Sequence, residues 1–85
     1  MDTHTIVGVH LDNRLTEAVE VQKLLTAYGK QIKTRLGLHE VAPSHEPNGL
    51  ILLEMVDPQQ GIKDLMGKLN AIHGVEAQSM VFKHA

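Results

Sequence analysis

Two hydrophobic rhythms take turns along the chain, and their order predicts the fold. Residues 4–11, HTIVGVHL, are short and β-branched and run into Asp12-Asn13, which reads as a strand entering a turn. In residues 16–28 the period lengthens: Ala18, Val21, Leu25 and Tyr28 recur at helical spacing with Leu24 beside them. Asn13 or Thr16 can cap that helix, because a side-chain oxygen can accept from the free N–H groups of the first turn. Glu17 and Glu20 lie near its positive end, and Gly29 is placed as the residue just past its end, where positive φ is cheap. Residues 30–38, KQIKTRLGL, alternate, with Ile32, Thr34 and Leu36 on one side and Gln31, Lys33 and Arg35 on the other.

Residues 39–49 hold two Pro with Ser, Asn and Gly, a connecting loop. Residues 49–56, GLILLEMV, are almost continuously apolar, as in a strand covered on both faces. Asp57-Pro58 predicts a helix start, Asp as cap and Pro in the first turn. Ile62, Leu65, Leu69 and Ile72 mark one face of the helix that follows, and Gly74 ends it before a last alternating strand, 75–83. The order β-α-β-β-α-β predicts an α+β, ferredoxin-like domain: four antiparallel strands with two helices on one face. The whole chain, 1–85, is one domain.

The fifth segment has a consequence for assembly. If Ile51, Leu53 and Met55 face the helices, then Leu50, Leu52 and Val56 face outward, with Glu54 the only charge among them. An apolar outer face points to an interface, and a homo-oligomer, dimer or tetramer, is the expected cover.

Composition narrows the function classes. Hydrophobic residues make up 42% of the chain, but there is one Tyr, one Phe and no Trp, so the core is aliphatic. The formal charge of −2 and the lack of a long basic run argue against direct nucleic-acid binding. Without Cys, thiolate metal sites and a cysteine nucleophile are excluded. No apolar run approaches the length of a membrane span, so membrane insertion is not expected and cytoplasmic residence is the default.

Three groups of residues carry candidate chemistry. Arg35, beside Lys33, could meet Glu54 on a sheet face or pair with an anionic ligand through its planar fork. The alternative is a solvated ion pair. Asp12 and Asn13 occupy a strand-to-helix turn where backbone N–H groups attract anions, though a helix cap and turn is the stronger reading of them. Of six His, His39 and His45 flank one loop and His10 ends the first strand. A partner subunit could add His10 or Glu54 to complete a site for a divalent transition metal, against the alternative that loop histidines are simply solvated. No defined metal spacing is present, and His73 is explained by a helix C-terminus. Met66 and Met80 read as core filler, Gly67 as a close-packing position and Gly37 as a bulge. No nucleophile, phosphate-loop or carboxylate-pair motif supports an enzyme.

Tyr28, Gly29, Ile32, Arg35 and Gly37, followed by Gly67, Lys68, Leu69, Gly74 and Val75, resemble the small iron-only hydrogenase system regulator family. The resemblance runs from about residue 5 to about residue 80. Those proteins are similar to ACT domains and to the C-terminal domain of nickel-responsive regulators. The resemblance implies an ACT-like oligomer with a regulatory role, binding a small molecule or metal ion between subunits. A nickel site that uses Cys cannot transfer intact. The first strand starts by residue 4 or 5, so an N-terminal ribbon-helix-helix for DNA is not expected. The competing reading is a ligand-free assembly or protein-interaction module.

Overall fold

A computed structural model describes residues 3–12, 14–38, 49–56 and 59–83. The order is β1 (Thr3–Leu11), α1 (Arg14–Ala27), a 3-10 turn (Gly29–Gln31), β2 (Ile32–Leu38), β3 (Gly49–Met55), α2 (Gln59–Asn70) and β4 (Val75–Lys83). The strands form one antiparallel sheet in the order β2-β3-β1-β4. Both helices lie on one face, as the two rhythms predict. Asn13, Asp57-Pro58, His39 and His45 lie outside the described residues.

The core comes from period-2 and period-3.6 positions meeting. Val7, Val9 and Leu11 from β1, Leu53 and Met55 from β3, and Val75 and Ala77 from β4 line the inner face of the sheet. Val21 and Leu25 of α1 and Ile62, Leu65 and Leu69 of α2 close over them. Leu53, Leu65 and Leu69 are fully buried. Gln22 of α1 bonds Arg35 of β2, while Asn70 of α2 bonds Ala77 of β4, so each helix covers one flank of the sheet. At the far side of the helix layer the Lys68 ammonium stands 5.2 Å from the centre of the Tyr28 ring, joining two of the positions that carry the family resemblance. The Tyr28 hydroxyl raises the Lys68 pKa through a hydrogen bond.

Three local expectations fail. Gly29 is not a positive-φ terminator: the chain after α1 tightens into the 3-10 turn, with Gln31 N–H donating to Tyr28 O at 2.9 Å, and the strand starts at Ile32 rather than at residue 30. Gly67 packs nothing closely; a Cβ there would meet no atom within 4 Å. Gly37 is in regular register with Ile51; the irregularity lies instead between Ile32 and Thr34. The described glycine with positive φ is Gly74, at +85°, in the turn before β4. Its carbonyl accepts from Asp12 N–H at 2.8 Å, tying the end of β1 to that turn.

Candidate functional site

The bulge in β2 decides which side chains gather on each face. Ile32 pairs with Met55 and Thr34 with Glu54, so Lys33 is the extra residue. Without it, Ile32, Thr34 and Leu36 would share a face. With it, Thr34 and Leu36 turn to the outer face beside Glu54 and Leu52, and Arg35, opposite the buried Leu53, turns to the helix side. Arg35 therefore does not meet Glu54, which the unbroken alternation allowed. Its Nη2 donates instead to Gln22 Oε1 at 2.7 Å.

On the outer face, register places Thr34, Glu54, Ile6 and Met80 in one row and Leu36, Leu52, Gly8 and Gln78 in the next. Leu50 and Phe82 extend the apolar surface to either side. Leu36, Leu50, Met80 and Phe82 are exposed, and Leu52, Ile6 and Val56 are half-buried. Met80 is thus surface, not core filler, because its parity in β4 matches Phe82 rather than Ala77. Four strands about 4.8 Å apart and seven residues at about 3.3 Å per residue give this face a projected area of about 440 Å². Part of that area is polar, since His4, His10, Thr34, Glu54, Glu76 and Gln78 share the face with Ile6, Leu36, Leu52, Met80 and Phe82.

Glu54 is the one carboxylate in the middle of that surface, and its own chain satisfies it. Thr34 Oγ1 donates to Oε1 at 2.9 Å, and His4 Nε2, carrying its proton, donates to Oε2 at 2.8 Å. Lys33 Nζ stands 3.9 Å from Oε2. The His4 bond first, then the Thr34 bond, with Lys33 behind them, holds the Glu54 carboxyl below the usual carboxylate range.

On the helix side, a groove of about 420 Å³ opens where α1 ends and β2 begins, lined by Leu25, Thr26, Gly29, Ile32, Lys33 and Arg35. Thr26 also borders a shallower depression along the outside of α1, of about 530 Å³, where Val19 is exposed. The remaining predicted residues lie elsewhere. Asp12 is exposed five residues along β1 from the row of Leu53 and Arg35, about 17 Å away along the sheet. His10 Nδ1 is 3.9 Å from Asp12 Oδ1. Among the described residues no three His, Asp or Glu side chains converge on a metal-sized site.

The sequence reading thus named Arg35 and Glu54 but put them on one face, and it missed His4 and Thr34 as partners of Glu54 and Gln22 as the partner of Arg35. The alternation of residues 4–11 carried the signal for His4 and Ile6, but only the β1–β3 register shows that they flank Glu54.

Solved structures of this shape are numerous and diverse in sequence. The uncharacterized protein TM1266 from Thermotoga maritima aligns at a TM-score of 0.83 and 24% identity over 96% of this chain and 100% of its own. The nitrogen regulatory PII-like protein CPII from Thiomonas intermedia K12, bound to ADP, AMP and bicarbonate, aligns at 0.68 and 12% identity, covering 98% and 96%. The ACT domain of GTP pyrophosphokinase from Chlorobium tepidum aligns at 0.64 and 14% identity, covering 100% and 90%. These likenesses establish the ACT- and PII-like ferredoxin fold. No match is found among curated proteins. Among the described residues no helix is long and apolar enough to cross a membrane. Residues 4–79 match the family described as "TM1266-like: Iron-only hydrogenase system regulator, putative", and with most of its length inside that match the chain belongs to this family.

Proposed function

We propose that the chain is a regulatory module that self-associates through its outer sheet face and responds to a small-molecule ligand. The observation that carries this reading is the combination on that face of several exposed apolar side chains with a carboxylate already satisfied by its own chain. Covering a charge normally costs far more than covering a methyl group, because its water must be replaced. At Glu54, Thr34 and His4 supply that replacement in advance, so a second copy can lie across Leu36, Leu52, Ile6 and Met80 without stranding a bare charge. Membership of a family described as regulatory favours a signalling role over catalysis. The relative CPII was solved with ADP, AMP and bicarbonate, all anions, which favours a small anionic ligand over a metal here.

Leu52→Glu tests the assembly. Leu52 is half-buried on the outer face and its Cδ2 leans over Gly8, so a charge there disturbs the face rather than the core. Sedimentation should show the wild type as a dimer or tetramer and the variant as a folded monomer by circular dichroism. A wild type that is monomeric at high micromolar concentration, or a variant that associates unchanged, refutes assembly through this face.

A further inference from the structure

We propose that the groove between the end of α1 and the bulged start of β2 binds a small organic carboxylate, its head against Arg35 and Lys33 and its apolar body against Ile32. This deepens the ligand-responsive reading above by giving it a site and a ligand class, and it needs no contribution from the outer face.

The argument begins with Arg35. Arg35 turns to the helix side of the sheet and stays exposed there. Here its partner is the neutral Gln22 amide oxygen, at 2.7 Å, and no carboxylate of the described residues pairs with it. Gln22 therefore orients the planar fork without neutralising it, which leaves further N–H donors for a carboxylate. The bulge supplies the second cation. Lys33 lines the groove, and its contact with Glu54, at 3.9 Å, is at the limit of an ion pair. Bulges next to functional sites commonly re-aim a side chain in this way.

The charge balance of the groove is positive. None of its lining residues is acidic. The C-terminal end of α1 opposes an anion with about half an elementary charge, but two full positive charges outweigh it. Moreover, the last carbonyls are partly engaged: Leu24 O accepts from Tyr28 N–H at 3.0 Å, and Tyr28 O from Gln31 N–H at 2.9 Å. The walls select the rest of the ligand. Leu25 is buried behind the groove and holds its floor in place, while the half-buried Ile32, packed against the core, presents a fixed apolar surface beside the cations. Thr26 adds one hydroxyl. The volume falls within the usual range for small-molecule clefts. A cationic end and an aliphatic wall favour an acid with a hydrocarbon chain over free phosphate.

Acetate, butyrate, hexanoate and inorganic phosphate, titrated at constant ionic strength and followed by amide chemical shifts, test the proposal. Each buried methylene strengthens binding by roughly fourfold, so hexanoate should bind at least about tenfold tighter than acetate. Shifts should concentrate between residues 22 and 35. Arg35→Ala should abolish the hexanoate response, and Arg35→Lys, which keeps the charge but not the fork, should weaken it about tenfold. Equal binding of all four anions, shifts centred on Lys63, Lys68 and Lys83 instead, or unchanged binding in both Arg35 variants would overturn it. Sedimentation of the same samples keeps the two proposals separable: hexanoate bound by monomeric Leu52→Glu supports the groove whatever becomes of assembly.

Discussion

Replacing Gly74 by Ala tests the joint that closes the fold. Gly74 sits at φ +85°, where a non-glycine residue costs roughly 1–2 kcal/mol. The added Cβ would also stand 2.7 Å from Cδ and 3.1 Å from Oε1 of Glu17, and closer still to Oε2. Glu17 is buried in the first turn of α1, so its carboxylate can yield only by leaving its present contacts. Displacing a buried polar group in that way costs roughly another 1–3 kcal/mol. The total, about 2–5 kcal/mol, is a large share of the roughly 4–13 kcal/mol available to a domain of this size. It corresponds to a fall in Tm of about 10–30 °C. Urea denaturation of Gly74→Ala, Glu17→Ala and the double variant separates the two causes. Removing the Glu17 carboxylate should reduce the cost of Gly74→Ala to the backbone part, about 1–2 kcal/mol. A Gly74→Ala cost below about 0.5 kcal/mol would refute the backbone argument, and an equal cost in both backgrounds would refute the contact.

Two further outcomes follow from the outer face and the free edge. Glu54 has a folded-state pKa lowered from 4.5, so its stabilising contribution is present above the unfolded value and disappears as pH falls through the folded one. Glu54→Gln should therefore lower the urea midpoint at neutral pH, leave its acid value little changed and so flatten the limb between them; a neutral midpoint and acid limb identical to wild type would remove the His4–Thr34–Glu54 cluster from the account. Asn70 donates to Ala77 O at 3.2 Å and accepts from Ala77 N–H at 2.8 Å, so its amide occupies the edge of β4 as a neighbouring strand would. Asn70→Ala should cost about 1–2 kcal/mol and raise light scattering with concentration, since Met80, Val81 and Phe82 continue the same edge strand. Unchanged scattering would show that the amide does not guard the edge.

How much of this was legible in the sequence depends on the length of the pattern that carried it. The fold was legible because each element repeats its rhythm several times: Ile62, Leu65 and Leu69 are buried where the helical period puts them, and Leu53 and Met55 where the strand period puts them. The outer face was legible from β3 alone, because a run of apolar residues must offer some to each side. Its other half was not. Ile6, Met80 and Phe82 join Leu52 only once the register of β1 against β3 and β4 is known. The single residue that mattered most left no mark at all. KQIKTRLGL alternates cleanly, and Lys33 is neither Gly nor Pro, so nothing local distinguishes a continuous strand from one with an extra residue.

That one extra residue links the two proposed surfaces. Tertiary packing decides its place: Ile32 is drawn to the core beside Met55, while Thr34 and Leu36 suit the outer face beside Glu54 and Leu52. Both demands cannot be met at strict alternation, and the bulge absorbs the conflict. Its side effect is to leave Lys33 and the exposed Arg35 both lining the groove, each from a position that regular pairing would have assigned differently. Lys33 also stands between the two surfaces, 3.9 Å from Glu54 on one side and lining the groove on the other. A carboxylate drawn to Lys33 in the groove would therefore compete with Glu54 for the same ammonium. With both proposals in place, occupancy of the groove and the charge balance of the outer face would be coupled through Lys33, and the expected sign is that ligand weakens assembly. Comparing sedimentation of Lys33→Ala and wild type with and without hexanoate measures it: the wild type should dissociate in part, and the variant should not respond. A response that survives in Lys33→Ala would place the coupling elsewhere.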